Sequence, residues 1–283
     1  MLLRAIILGC GSSAGVPRIG GPDGAGDWGA CDPNEPKNRR LRCGIAIQRA
    51  HDTLGWDADA LTTVLVDTSP DLKAQLISAK IARADAVMIT HDHADQTHGI
   101  DDLRVLALLD RRRVPVYVDQ VRTSPALMRR FAYCFESNPE TGYPAILDAR
   151  EMPEAGTFIE IDGPTGSIPV APFLQRHGPV DSLGFRFGRE GGIAYSSDLN
   201  DLFDESIDLL TDVDTYIVDA LRYRPHPSHA HMDLALEWIE RVRATKGVLT
   251  NLHIDMDYAT VLNETPENVM PAHDGMIIEA EAR

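Results

Sequence analysis

At 283 residues, with 43% hydrophobic residues and a mean hydropathy of −0.18, the chain has enough apolar mass for a large core and a soluble, globular profile. Its 43 acidic residues against 27 basic ones leave a formal net charge of −16. That charge disfavours bulk nucleic-acid binding, which needs many Lys and Arg contacts, but leaves room for a small anion in a local cationic pocket.

Met1–Gly9 runs straight into a glycine turn without a basic start or a long apolar stretch, so it reads as a first core strand and not as a signal peptide. No apolar run approaches the roughly 20 residues that cross a bilayer, and no membrane partner is expected. The segment Gly20–Arg42 reads as a long irregular loop. Short β-branched strands follow at Thr62–Val66, Ala86–Thr90, Val114–Val118, Ile168–Phe173, Gly192–Tyr195, Thr215–Val218 and Gly247–Thr250. Helical stretches lie between them. Ser69-Pro70 predicts a cap and first turn ahead of Leu72 and Leu76. Ser124-Pro125 repeats that signal before Ala126–Phe135, and Leu234–Val242 sets Trp238, Ile239 and Val242 on one face. Ser137–Arg150 reads as a second irregular loop. The pattern is strand-rich α/β in a single domain over 1–283, with no repeat or linker marking a boundary. The four cysteines, Cys10, Cys31, Cys43 and Cys134, form no CxxC pair, so a disulfide framework or thiolate zinc site is not expected and a reducing cytoplasm fits.

The chemistry concentrates in His91-Asp-His93-Ala-Asp95-Gln96-Thr-His98-Gly99, directly after the strand Ala86–Thr90. Alternate spacing in an extended turn lets His91 and His93 face one ion, and Asp95 can start a helix and reach a neighbouring one. Nitrogen and carboxylate ligands without thiolate suit zinc, manganese or iron.

With that motif the chain resembles the metallo-β-lactamase superfamily. His177 follows the strand Ile168–Phe173 where the family places its third histidine, and Asp198 ends the next strand where it places a bridging aspartate. A closer resemblance is to the branch of PhnP-like cyclic phosphodiesterases. It rests on Leu8-Gly-Cys-Gly-Ser-Ser-Ala-Gly15-Val-Pro17, Gly99-Ile-Asp-Asp-Leu-Arg104 and Pro225-His-Pro-Ser-His229. The resemblance implies a four-layer αββα sandwich with the metal site at one edge of the two sheets. It also implies one or two divalent ions, zinc or manganese, and attack on phosphorus by hydroxide generated at the metal. His229 matches a histidine that stabilises phosphate or protonates the leaving group, with His231 as a neighbour of the same chemistry. Asp67 matches a carboxylate that orients ligand histidines. Arg104 and Arg222 are candidates for phosphate contact.

Two departures bear on the second ion. Gln96 replaces a histidine, with His98 two positions on, and Asn251 replaces another, with His253 two positions on. One arrangement rebuilds a second metal site from Asp95, Asp198, His253 and His98. The other keeps one ion at His91, His93, His177 and Asp198, and gives His98 and His253 to substrate phosphate. The branch often carries a structural zinc on clustered cysteines; here one cysteine, Cys31, remains, and Ile254 stands at the late histidine, so loop packing around Trp28 is expected instead. The expected substrate is a small, anionic, cyclic ribosyl phosphate or nucleotide, and a homodimer is compatible with it. The alternatives are a thioester or lactone hydrolase, a tRNA-processing nuclease, which the charge disfavours, and a non-catalytic ligand-binding protein with a degraded second metal site.

Overall fold

The computed structural model describes residues 1–140 and 142–283. One seven-stranded sheet runs in the order β15 (Ile277–Glu281), β1 (Leu2–Gly9), β2 (Gly44–Arg49), β3 (Thr62–Val66), β4 (Ala86–Met88), β5 (Val114–Val118), β6 (Leu147–Glu151). The other runs β11 (Asp201–Leu202), β8 (Ile168–His177), β9 (Val180–Phe187), β10 (Ile193–Ser196), β12 (Thr215–Asp219), β13 (Lys246–Thr250), β14 (Val269–Pro271), with β7 (Ile159–Ile161) paired to β8. Each sheet is antiparallel on one side and parallel on the other: β3 to β6 in the first, and β10, β12, β13 and β14 in the second.

Side-chain alternation builds four layers. In β1, Leu3, Ala5 and Ile7 point between the sheets, where they join Val64, Val170, Phe185, Ile217 and Val248. Ile6 and Leu8 point outward, against α1 (Leu72–Ser78), α3 (Leu103–Asp110) and α4 (Ser124–Phe135). On the second sheet Tyr216, Val218 and Leu249 point outward against α5 (Asp204–Leu210), α6 (Met232–Arg241) and α7 (Tyr258–Glu264). This is the αββα sandwich that the resemblance implies. The parallel halves place their carboxyl ends together at one edge, the usual place for a site in such sheets.

Several local readings need correction. The first helix begins at Leu72 with Asp71 as its cap residue; the Ser69 hydroxyl instead accepts the Asp71 N–H at 3.2 Å and holds Gln75. Ser137–Arg150 is not all loop, because β6 starts at Leu147 and pairs in parallel with β5. β2, β7, β9, β14 and β15 carry too many Gly, Pro or charged positions to show as apolar runs. The Gly20–Arg42 segment is anchored by Cys31, which joins Val16 and Ile254 in a small apolar cluster with Trp28 against it. Arg40, 1% exposed, donates to the carbonyl of Met256 at 2.6 Å and to Asn38 at 3.1 Å. The chain ends meet at the far end of the first sheet: the Met1 amino group donates to the Ala282 carbonyl at 2.7 Å. No helix among the described residues is long and apolar enough to cross a membrane.

Candidate metal centre and active site

Three residues just past strand ends adopt left-handed backbone: Asp67 after β3 (φ 65°), Asp198 after β10 (φ 53°) and Asn251 after β13 (φ 61°). Asp and Asn tolerate that region better than other side chains, and each turn aims a polar group at the shared edge. His177 ends β8, Asp219 ends β12, and the loop after β4 carries His91 and His93.

The ligand atoms of His91, His93 and His177 lie within 4.8 Å of one another, as do those of His177, Asp198 and His229. His91 and His177 are buried, and His93 faces the opening. His177 Nδ1 lies 2.7 Å from the Ser228 carbonyl. A carbonyl can only accept, so the proton is on Nδ1 and the Nε2 lone pair faces inward, 3.4 Å from His93 Nδ1. Asp67 accepts the Thr90 N–H at 2.9 Å and the Thr90 hydroxyl at 2.9 Å, and that hydroxyl oxygen sits 3.0 Å from His91 Nδ1. With the hydroxyl proton on Asp67, the Thr90 oxygen accepts from His91 Nδ1–H and Nε2 keeps a lone pair. Asp67 therefore orients His91 through Thr90. His91 Nε2 is buried without a hydrogen-bond partner among the described residues. Burial, then the neighbouring imidazoles, holds His91 well below the usual histidine range; burial and His229 lower His177 to about 4. Three converging imidazoles, with His91 and His177 disfavoured from protonation by burial, fit a divalent cation, and the nitrogen and carboxylate donors suit zinc or manganese.

His229 Nδ1 lies 2.8 Å from Asp219 Oδ2 and 3.9 Å from Asp198 Oδ1. Burial alone would lower its pKa, but the Asp219 hydrogen bond and charge outweigh this and raise it to about 9. Burial, then the nearby Asp95 charge, pushes Asp198 up; a bound cation reverses that direction.

The remaining expected ligands do not join either group, and two amides border the cluster. Gln96 Nε2 donates to Asp198 Oδ2 at 2.9 Å, and Asn251 Nδ2 lies 3.2 Å from His229 Nδ1, so amides stand against Asp198 and His229. The rebuilt second site is not assembled. His98 is turned edge-on to Phe131, ring centroids 5.6 Å apart, and His253 Nδ1 lies 3.3 Å from Asp255. The left-handed turn at Asn251 ends the extended run that would have aimed His253 into the cleft. Asp95 lies near Asp198 on the short helix α2 (Ala94–Thr97), outside both ligand groups. His231 is the cap residue of α6. Arg104 pairs with Asp101 at 2.7 Å, and Arg222 donates to the carbonyls of Arg224 and Pro225. Sequence reasoning missed Asp219, although it ends an apolar strand much as Asp67 and Asp198, which the resemblance supplied, lie just past strand ends. It also missed Thr90, whose role needs the contact.

The family model for the β-lactamase superfamily domain matches residues 62–254. A diphosphatase of the PhnP family has a similar structure: TM-score 0.82 and 30% identity over 99% of this chain and 97% of that one. Zinc-bound PqqB of Methylobacterium extorquens shares the fold at TM-score 0.70 and 13% identity, over 97% of this chain and 99% of that one. Human tRNase Z, short form, shares it at 0.62 and 16%, over 97% and 98%. An octanoyltransferase of Porphyromonas gingivalis is 29% identical over 276 residues, 97% of this chain, which spans 51% of that protein's length. On the matched model and on a relative similar from end to end, the chain belongs to the metallo-β-lactamase superfamily of hydrolases, in its PhnP branch.

Proposed function

We propose that this hydrolase cleaves the phosphodiester of a small ribosyl phosphate or nucleotide, using one divalent ion. The observation that carries the reading is His229, hydrogen-bonded to Asp219 at 2.8 Å and beside His177 and Asp198. An ion held by His91, His93 and His177, with Asp198 beside them, would polarise a phosphoryl oxygen and lower the pKa of water toward ~7. Asp67 and the Ser228 carbonyl fix the tautomers of His91 and His177, keeping their inward nitrogens free of protons. Asp219 takes the Nδ1 proton of His229 in a hydrogen bond, which leaves Nε2 to pass a proton to the departing oxygen. Gln96 holds one oxygen of Asp198, which supports a single ion over a pair.

A second reading, hydrolysis of an acyl thioester on the same centre, is favoured by the octanoyltransferase relative, of which this chain matches about half. Turnover of bis-p-nitrophenyl phosphate and of octanoyl thioester, with zinc and manganese added separately, tests both. The expected result is metal-dependent phosphodiester turnover that falls about 100- to 10,000-fold in His229→Ala. Turnover of the thioester alone would transfer the proposal to acyl chemistry, and turnover of neither would overturn it.

A further inference from the structure

The backbone of the metal loop is held at three carbonyls, those of Thr90, Asp92 and His93. The Thr90 carbonyl accepts from Leu183 N–H at 3.1 Å, and the His93 carbonyl accepts from Gln96 N–H at 3.2 Å and the Thr97 hydroxyl at 2.8 Å. Between them, the Asp92 carbonyl belongs to the peptide that joins Asp92 to His93. It accepts from Arg130 Nη1 at 2.5 Å, while Arg130 Nη2 lies 3.2 Å from the Asp92 carboxylate. One guanidinium thus grips the backbone and the side chain of the residue that separates the two histidines. The next residue on the same helix, Phe131, meets His98 at the other end of the loop.

Neighbouring side chains on a regular helix project about 100° apart and do not share a face. Here α4 leaves helical geometry at Phe131 (φ −126°, ψ 27°), and residues 130 and 131 both reach the 91–98 loop. The irregularity in α4 and the two contacts therefore describe one device.

We infer that Arg130 is a positioning residue that sets the spacing of His91 and His93 for the ion, acting through Asp92. The inference rests on the metal reading of the three histidines. A planar fork can hold carbonyl and carboxylate together, whereas an ammonium offers a single point charge. The Arg130 side chain is 39% exposed, so the pair by itself adds little to global stability. Affinity for the ion and stability of the metal-free fold should therefore separate on substitution.

The test measures zinc and manganese affinity by competition with a chromophoric chelator, and thermal unfolding of the metal-free protein, for the wild type, Arg130→Met and Arg130→Lys. Partners that orient ligands typically cost about 10- to 100-fold in affinity when removed. The expected result is a loss in that range for Arg130→Met, a smaller loss for Arg130→Lys, and an unfolding midpoint within about a degree of wild type. Affinity within about twofold of wild type in Arg130→Met overturns the inference alone. So does a loss accompanied by an equal fall in metal-free stability, which marks a general structural role. A wild type that binds neither metal overturns the metal reading and this inference together.

Discussion

Gln96 is fully buried, with its amide on Asp198, and Asn251 stands beside His229. Both stand at positions where the family resemblance implies histidines of a second cation site, and both already border Asp198 or His229. Restoring the nitrogens should therefore restore the ion without moving the chain. Elemental analysis should find about one metal per chain in the wild type and about two in the Gln96→His, Asn251→His double variant. A ratio that stays near one would show that something other than ligand identity limits the site. The centre on His91 and His93 was legible in the sequence because the spacing is local and the strand before it is apolar. His253 misled because positions two apart share a face only while the backbone stays extended. Asn251 turns left-handed, and His253 goes elsewhere.

Strands rich in β-branched residues, β3 and β5, were readable to the residue, whereas β9 was not. Its Gly184 suggests a turn, but a Cβ there would lie 2.2 Å from the Phe173 ring, so glycine makes room for packing inside a continuous strand. α7 shows how an element can depend on a distant loop. Asp257 accepts the Thr260 N–H at 3.0 Å, the Asp32 N–H at 3.1 Å and Asn38 Nδ2 at 2.7 Å, tying the helix start to the 31–38 loop. Burial opposes its ionisation, but those donors outweigh it and hold the carboxyl at about 2. A lowered carboxylate pKa stabilises the fold above the unfolded value near ~3.9, and that contribution is lost as pH falls toward the folded value. Asp257→Ala should cost about 1–2 kcal/mol in denaturant unfolding at neutral pH. The difference from wild type should narrow below pH ~4, and one that widens on acidification would contradict this assignment.

Across the whole molecule, the net charge of −16 and an anionic substrate repel one another over roughly 8–10 Å at physiological salt. Added salt screens that repulsion, so kcat/KM for a small phosphodiester should rise modestly between about 20 and 200 mM sodium chloride. A protein that gathers polynucleotide through phosphate contacts loses affinity over the same range. A steep fall in activity on RNA with rising salt would therefore favour the nuclease alternative. The sequence could give this charge but not how the two ends of the chain are placed. β1 starts, and β15 ends, at the side of the sheet opposite the strand tips that carry His177 and Asp198, with Met1 and Ala282 hydrogen-bonded to each other. A domain fused to either end would thus be tethered at one shared point, on the side away from the candidate metal centre. Any such domain would approach the site only by reaching around the sandwich from the side away from it.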